Sequence, residues 1–173
     1  TGIQFRDMAF DQNGLDRFGG IVAYDAARWR VNGCRFFDSN PPPVGNKDRR
    51  SLYFGLPETT SGNRDIWIDG NLIEGLQLDM HAGQRVHISH NTLRGGVLTA
   101  GIAIVSGRDG LTIEDYLISG NLIDSPVGSG IGVSLDPAST NGGMMQRITI
   151  TDNVIRVGPQ TTRGIYLGST NNG

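Results

Sequence analysis

Short runs of alternating apolar and polar residues recur along the chain. One run reads apolar, any residue, apolar, two residues, Asn, any residue, apolar. It appears as IWIDGNLI (Ile66 to Ile73), VHISHNTL (Val86 to Leu93), YLISGNLI (Tyr116 to Ile123) and ITITDNVI (Ile148 to Ile155). Two degenerate copies precede these, IQFRDMAF from Ile3 and WRVNGCRF from Trp29, with Met8 and Cys34 at the Asn position. A second, often Gly-led run follows each copy: GIVAY, LYFG, LQLD, GIAIV, GIGVS and GIYLG. Alternation with a period of two places successive side chains on opposite faces, so each piece predicts a strand and none predicts an amphipathic helix.

Six units of about three short strands, at a spacing within the solenoid range, predict an all-β fold, a right-handed parallel β-helix of about six coils. Strands of successive coils then pair in parallel about 4.8 Å apart. The recurring Asn is expected at the bend between the first two strands, tolerating a left-handed backbone there and bonding its equivalent one coil away in a ladder. Neither end carries a cap helix. Since solenoids normally cover their ends, the chain is expected to be a segment of a longer protein, or one capped by partner domains or a second copy.

The pattern resembles the pectate lyase-like superfamily of β-helix proteins from Ile3 to Leu167. That superfamily holds polysaccharide lyases, hydrolases, esterases, alginate epimerases, tailspikes and noncatalytic repeats, so the likeness alone selects no activity. It implies a carbohydrate groove on the sheet of Gly-led strands. Alternation puts Ile21 and Ala23, Leu52 and Phe54, Leu76 and Leu78, and Ile102 and Ile104 inward on that sheet. The outward positions then include Tyr24, Tyr53, Gln77 and Asp79, with Gly55 beside Asp79 leaving room for a sugar. Toward the C-terminus the outward face turns aliphatic or small, at Ala103, Val105 and Gly132.

Leu78-Asp79-Met80-His81 is similar to the Asp-Pro-His strand end of mannuronan epimerases. The resemblance implies His81 as base at the C5 carbon and Asp79 as the group orienting His81 or holding calcium, and Tyr53, one column over, is the expected proton donor. Chemistry on a uronate also requires its carboxylate to be neutralised. Lys47, Arg49 and Arg50, in the loop behind the Pro41 to Pro43 run, are expected to do this, with Tyr24 and Gln77 completing the substrate surface. Calcium is the cofactor this chemistry admits. Clustered carboxylates for glycoside hydrolysis are absent from the strand ends, where Asp25, Asp79 and Asp136 stand in separate coils. His87 and His90 read as structural, and Asp109 to Asp115 departs from a calcium loop because Leu111 follows Gly110.

Composition narrows the picture. The 173 residues carry 26 glycines, and a net charge of −2 gives no global basic field for nucleic acid. One cysteine excludes an internal disulfide, and no apolar run is long enough to span a membrane. The expectation is a carbohydrate-active protein acting on or binding an acidic polysaccharide, secreted or displayed on a cell or virion surface. The alternative is a noncatalytic glycan-binding or structural stalk.

Overall fold

The structure is a computed structural model that describes residues 2–14, 18–41, 49–55, 62–95, 100–106, 112–124, 126–135 and 144–169, and every regular element among them is a strand. The first coil comprises β1 (Ile3–Arg6), β2 (Ala9–Asp11) and β3 (Phe18–Tyr24), and the second β4 (Ala27–Asn32), β5 (Arg35–Phe37) and β6 (Arg50–Gly55). The third runs through β7 (Asn63–Asp69), β8 (Leu72–Glu74) and β9 (Gln77–His81), and the fourth through β10 (Gly83–Ser89), β11 (Thr92–Arg94) and β12 (Ala100–Ser106). The fifth holds β13 (Ile113–Ser119), β14 (Leu122–Asp124) and β15 (Gly128–Leu135). The sixth holds β16 (Met145–Thr151), β17 (Val154–Arg156) and β18 (Thr161–Ser169). Corresponding strands pair in parallel to give three six-stranded sheets, the architecture of a right-handed parallel β-helix.

Stacking in register builds the core column by column. In the first sheet Val31, Ile68, Ile88 and Ile118 lie on successive coils and are wholly buried. In the third sheet Leu52, Leu78, Ile102 and Ile131 form one inward column, and Phe54, Met80, Ile104 and Val133 the next. This register differs from the expected one at a single unit. Leu76 lies in the bend before β9, so Leu78 pairs with Leu52 and Met80 with Phe54. The unit is displaced by two residues, which preserves every inward side chain because the pleat repeats every two. The inward columns continue into the sixth coil, where Ile165 and Leu167 are 48% and 59% exposed because no described strand follows β18.

The asparagine ladder runs through four coils. The Asn71 amide donates to Oδ1 of Asn91 (2.9 Å), Asn91 to Asn121 (3.0 Å) and Asn121 to Asn153 (2.8 Å). Each receiving oxygen also accepts the backbone N–H of the asparagine before it. The second amide hydrogen goes to a main-chain carbonyl, that of Val31, Ile68, Ile88 and Ile118 in turn. Cys34 extends the series by donating its backbone N–H to Asn71 Oδ1 at 2.9 Å. The left-handed backbone, however, belongs to the residue before each asparagine: Gly70, His90, Gly120 and Asp152 have φ of 65°, 52°, 63° and 55°. Asparagine is therefore required for its amide, and the position before it for conformational tolerance.

A second periodic feature lies within the first sheet. Arg28, Asp65, Arg85, Asp115 and Arg147 occupy one column across five coils, all with positive φ, and their charges alternate. Arg85 grips Asp65 through Nε and an Nη (2.6 and 3.1 Å), and Arg147 grips Asp115 similarly (2.5 and 3.2 Å). Such exposed pairs are largely screened by solvent and offset only part of the cost of the left-handed conformation.

Two stability outcomes follow. Ile104→Asp should abolish cooperative folding in a thermal melt, because an unpaired charge at a fully buried position costs several kcal/mol. Asn91→Ala should destabilise by about 2–4 kcal/mol, since it orphans buried groups on both neighbouring coils, whereas Asn153→Ala, at the more exposed end of the ladder, should cost clearly less. Equal losses in chemical denaturation would show that the ladder is not the stabilising unit.

Candidate functional site

The displaced register of β9 decides what meets on the outer face of the third sheet. Tyr53 lies directly beside Asp79, while Gly55 and His81 share the next outward column with Tyr24. The expected neighbour of Asp79 was Gly55; the two-residue shift puts Gly55 in line with His81 instead. The space above Gly55 is not left for a sugar. A Cβ there would run into the rings of Tyr53 and Tyr24, which fold over it.

Glycine thus lets two aromatic rings close on a third. Tyr24 and Tyr53 meet edge to face at 6.0 Å between centroids, and Tyr53 and His81 at 5.2 Å. Arg50, the first residue of β6, lies over the Tyr53 ring at 5.0 Å, and its Nε is 2.6 Å from Asp79 Oδ2. His81 Nε2 stands 3.8 Å from the other Asp79 oxygen. A carboxylate that is only 3% exposed therefore sits against a guanidinium that compensates its desolvation, with the His81 imidazole 3.8 Å from its other oxygen.

Below the surface, two residues hold the strand ends. Tyr116 is buried inside the coil and its hydroxyl donates to the His81 carbonyl at 3.3 Å. Asn63, also buried, donates to the carbonyls of Phe54 and Gly55 (3.1 and 3.2 Å) and accepts the Ala26 N–H at 3.1 Å. Sequence reasoning missed Asn63 because it lies outside the ladder motif; its only signal was an asparagine at the start of a strand.

The structure thus brings together Tyr24, Tyr53, Asp79, His81 and Arg50. Gln77, also outward on β9, is buried, and its side-chain oxygen has no hydrogen-bond partner among the described residues. Arg49 is placed elsewhere: it forms a buried ion pair with Asp38 beside Phe37 and Glu74, at the corner of the second and third sheets. Lys47 lies outside the described residues, as do Pro42, Pro43, Asp109 and Asp136. Of the two Asp79 oxygens, Oδ2 is engaged by Arg50 and Oδ1 faces His81 at 3.8 Å. Among the described residues no group of three His, Cys, Asp or Glu side chains is arranged to hold a metal ion, and no helix is long and apolar enough to cross a membrane.

Burial raises the Tyr53 phenol above its ordinary value of 10, the Asp79 carboxylate raises it further, and Arg50 opposes both. The hydroxyl is therefore protonated throughout the neutral range, as a proton donor requires. Comparison with known proteins found no matching family model, characterised protein or solved structure.

Spectroscopic titration should find the Tyr53 phenol ionising above pH 10; Asp79→Asn should move that step down and Arg50→Gln should move it up. Because the folded-state value is the raised one, the associated stability is complete below the unfolded tyrosine value and fades as pH climbs through the folded one. Opposite shifts in the two variants would show that these charges do not face the ring.

Proposed function

We propose that the chain is a member of the pectate lyase-like superfamily and that the outer face of its third sheet acts on an acidic polysaccharide by lyase or C5-epimerase chemistry. The convergence of Tyr53, Asp79, His81 and Arg50 in adjacent coils carries this reading. An imidazole nitrogen of His81 removes the C5 proton of a uronate residue while the Arg50 charge offsets the substrate carboxylate and makes that proton more acidic. In a lyase the electrons left at C5 form the C4–C5 double bond, the C4–O bond breaks, and Tyr53 protonates the departing oxygen. In an epimerase Tyr53 returns a proton to C5 from the opposite face, which requires the edge contact between the Tyr53 and His81 rings to open around the sugar. Asp79 positions and stabilises the imidazolium that forms. The exposed Tyr24 ring offers apolar area. Such a substrate places the protein outside the cell, or on a cell or virion surface.

A noncatalytic glycan-binding stalk is the second reading. It is favoured by the small and aliphatic outward residues of the later coils, Ala103, Val105 and Gly132, and by the closure of the space above Gly55.

A panel of polygalacturonate, polymannuronate and polyguluronate, followed by absorbance of unsaturated products and by NMR for C5 inversion, distinguishes the two. The enzyme reading expects turnover that falls about 100-fold or more in His81→Ala and Tyr53→Phe without loss of folding. Binding without turnover would leave the stalk; turnover undiminished in both variants would remove these residues from the chemistry.

A further inference from the structure

Among the described residues, some arginines are neutralised within the chain and others are not. Arg35, Arg49, Arg50, Arg85 and Arg147 are each joined to a carboxylate of this chain, on Glu74, Asp38, Asp79, Asp65 and Asp115 respectively. Arg6, Arg28 and Arg30 form no ion pair with any described residue, and all three are exposed on the first two coils of the first sheet. Arg28 begins the alternating charge column, but the Asp65 carboxylate beside it is gripped by Arg85. Arg30 lies 5.1 Å above the Trp67 ring, whose other face is stacked on His87 at 5.6 Å and 22°. The stack follows the register of the outward column Arg30, Trp67, His87. It holds the Arg30 guanidinium in place before any ligand arrives.

Around these residues run two open grooves of about 370 Å³ each, which share Gln4, Arg30 and Trp67. Arg6 lines the first and Arg28 the second. Asp69, the one carboxylate among the described residues on their rim, is engaged by Asn32 (3.2 Å), Ser89 (2.8 Å) and His90 (2.9 Å). Among the described residues, none of these three guanidinium groups forms an ion pair, on a protein of net charge −2.

From this geometry we infer a second binding site, on the outer face of the first sheet, for the carboxylates or sulfates of an acidic polysaccharide. Charge complementarity selects an anion, and guanidinium forks match carboxylate and sulfate oxygens. Neighbouring coils present side chains every ~4.8 Å, a spacing comparable with one sugar residue of an extended chain. Both faces of Trp67 are covered by Arg30 and His87, so no nucleobase can stack there, which disfavours single-stranded nucleic acid. The site shares its ligand class with the third-sheet reading but none of its residues. It would hold a long polymer while another segment lies on the third sheet, giving a gain in avidity that short oligomers lack.

Calorimetric titration with oligogalacturonate and with long polygalacturonate tests it, using the wild type, Arg6→Gln/Arg30→Gln and His81→Ala/Tyr53→Ala. The surface substitutions should leave the melting temperature unchanged. The wild type should bind more than one oligomer per chain. Arg6→Gln/Arg30→Gln should lose one binding event and weaken polymer binding about tenfold or more, while any turnover of short oligomers persists. The inference is overturned if that variant matches the wild type in stoichiometry and affinity, or if oligodeoxythymidylate displaces the sugar equally well. Binding lost in the arginine variant but intact in His81→Ala/Tyr53→Ala would uphold this site and overturn the third-sheet reading. No binding to the wild type would overturn both.

Discussion

Every part of this molecule depends on coils stacking in one register, and the buried asparagine amides enforce that register. An amide removed from water costs a few kcal/mol unless its donors and acceptor are satisfied. Here each is satisfied only by the asparagine and carbonyls of neighbouring coils. A slip of one residue would leave several such groups unpaired and turn each inward column to solvent. The apolar columns provide most of the driving force; the ladder selects which stacking is allowed.

The same register makes the third-sheet site. Tyr53, Asp79 and His81 come from two successive coils, and only in-register pairing of β6 with β9 sets the phenol beside the carboxylate. The carboxylate is buried against the Arg50 guanidinium, whose charge compensates its desolvation. Asn63 and Tyr116 then fix the strand ends from beneath, through main-chain carbonyls rather than side chains. Charged and aromatic side chains thus gather on the early coils, while the later coils present small and aliphatic ones on the same sheet.

The repeat, the strand type, the ladder and the inward columns were legible because each recurs at several positions and periodicity reports them directly. The register of β9 was not, because Leu76, Leu78 and Met80 are all buried and alternation accepts either alignment. Only the bend at Gly75 and Leu76 distinguishes them. The role of asparagine was half legible. Its ladder follows from recurrence, but the left-handed residue is the one before it, often Gly, with His90 and Asp152 as unobvious substitutes. The fate of the arginines could not be read at all, since Arg49 and Arg50 are adjacent in sequence yet pair with Asp38 and Asp79 in different places.

The claim that register creates a sugar-binding face at Tyr53, Asp79 and His81 can be tested residue by residue. NMR of the isotopically labelled protein, with an oligogalacturonate titrated in, reports the His81 ring protons and the amides of Gly55 and His81 directly. The account predicts saturable shifts at these positions that vanish in Asp79→Asn, with the inward columns unperturbed. Saturable binding that leaves all three signals in place would contradict it.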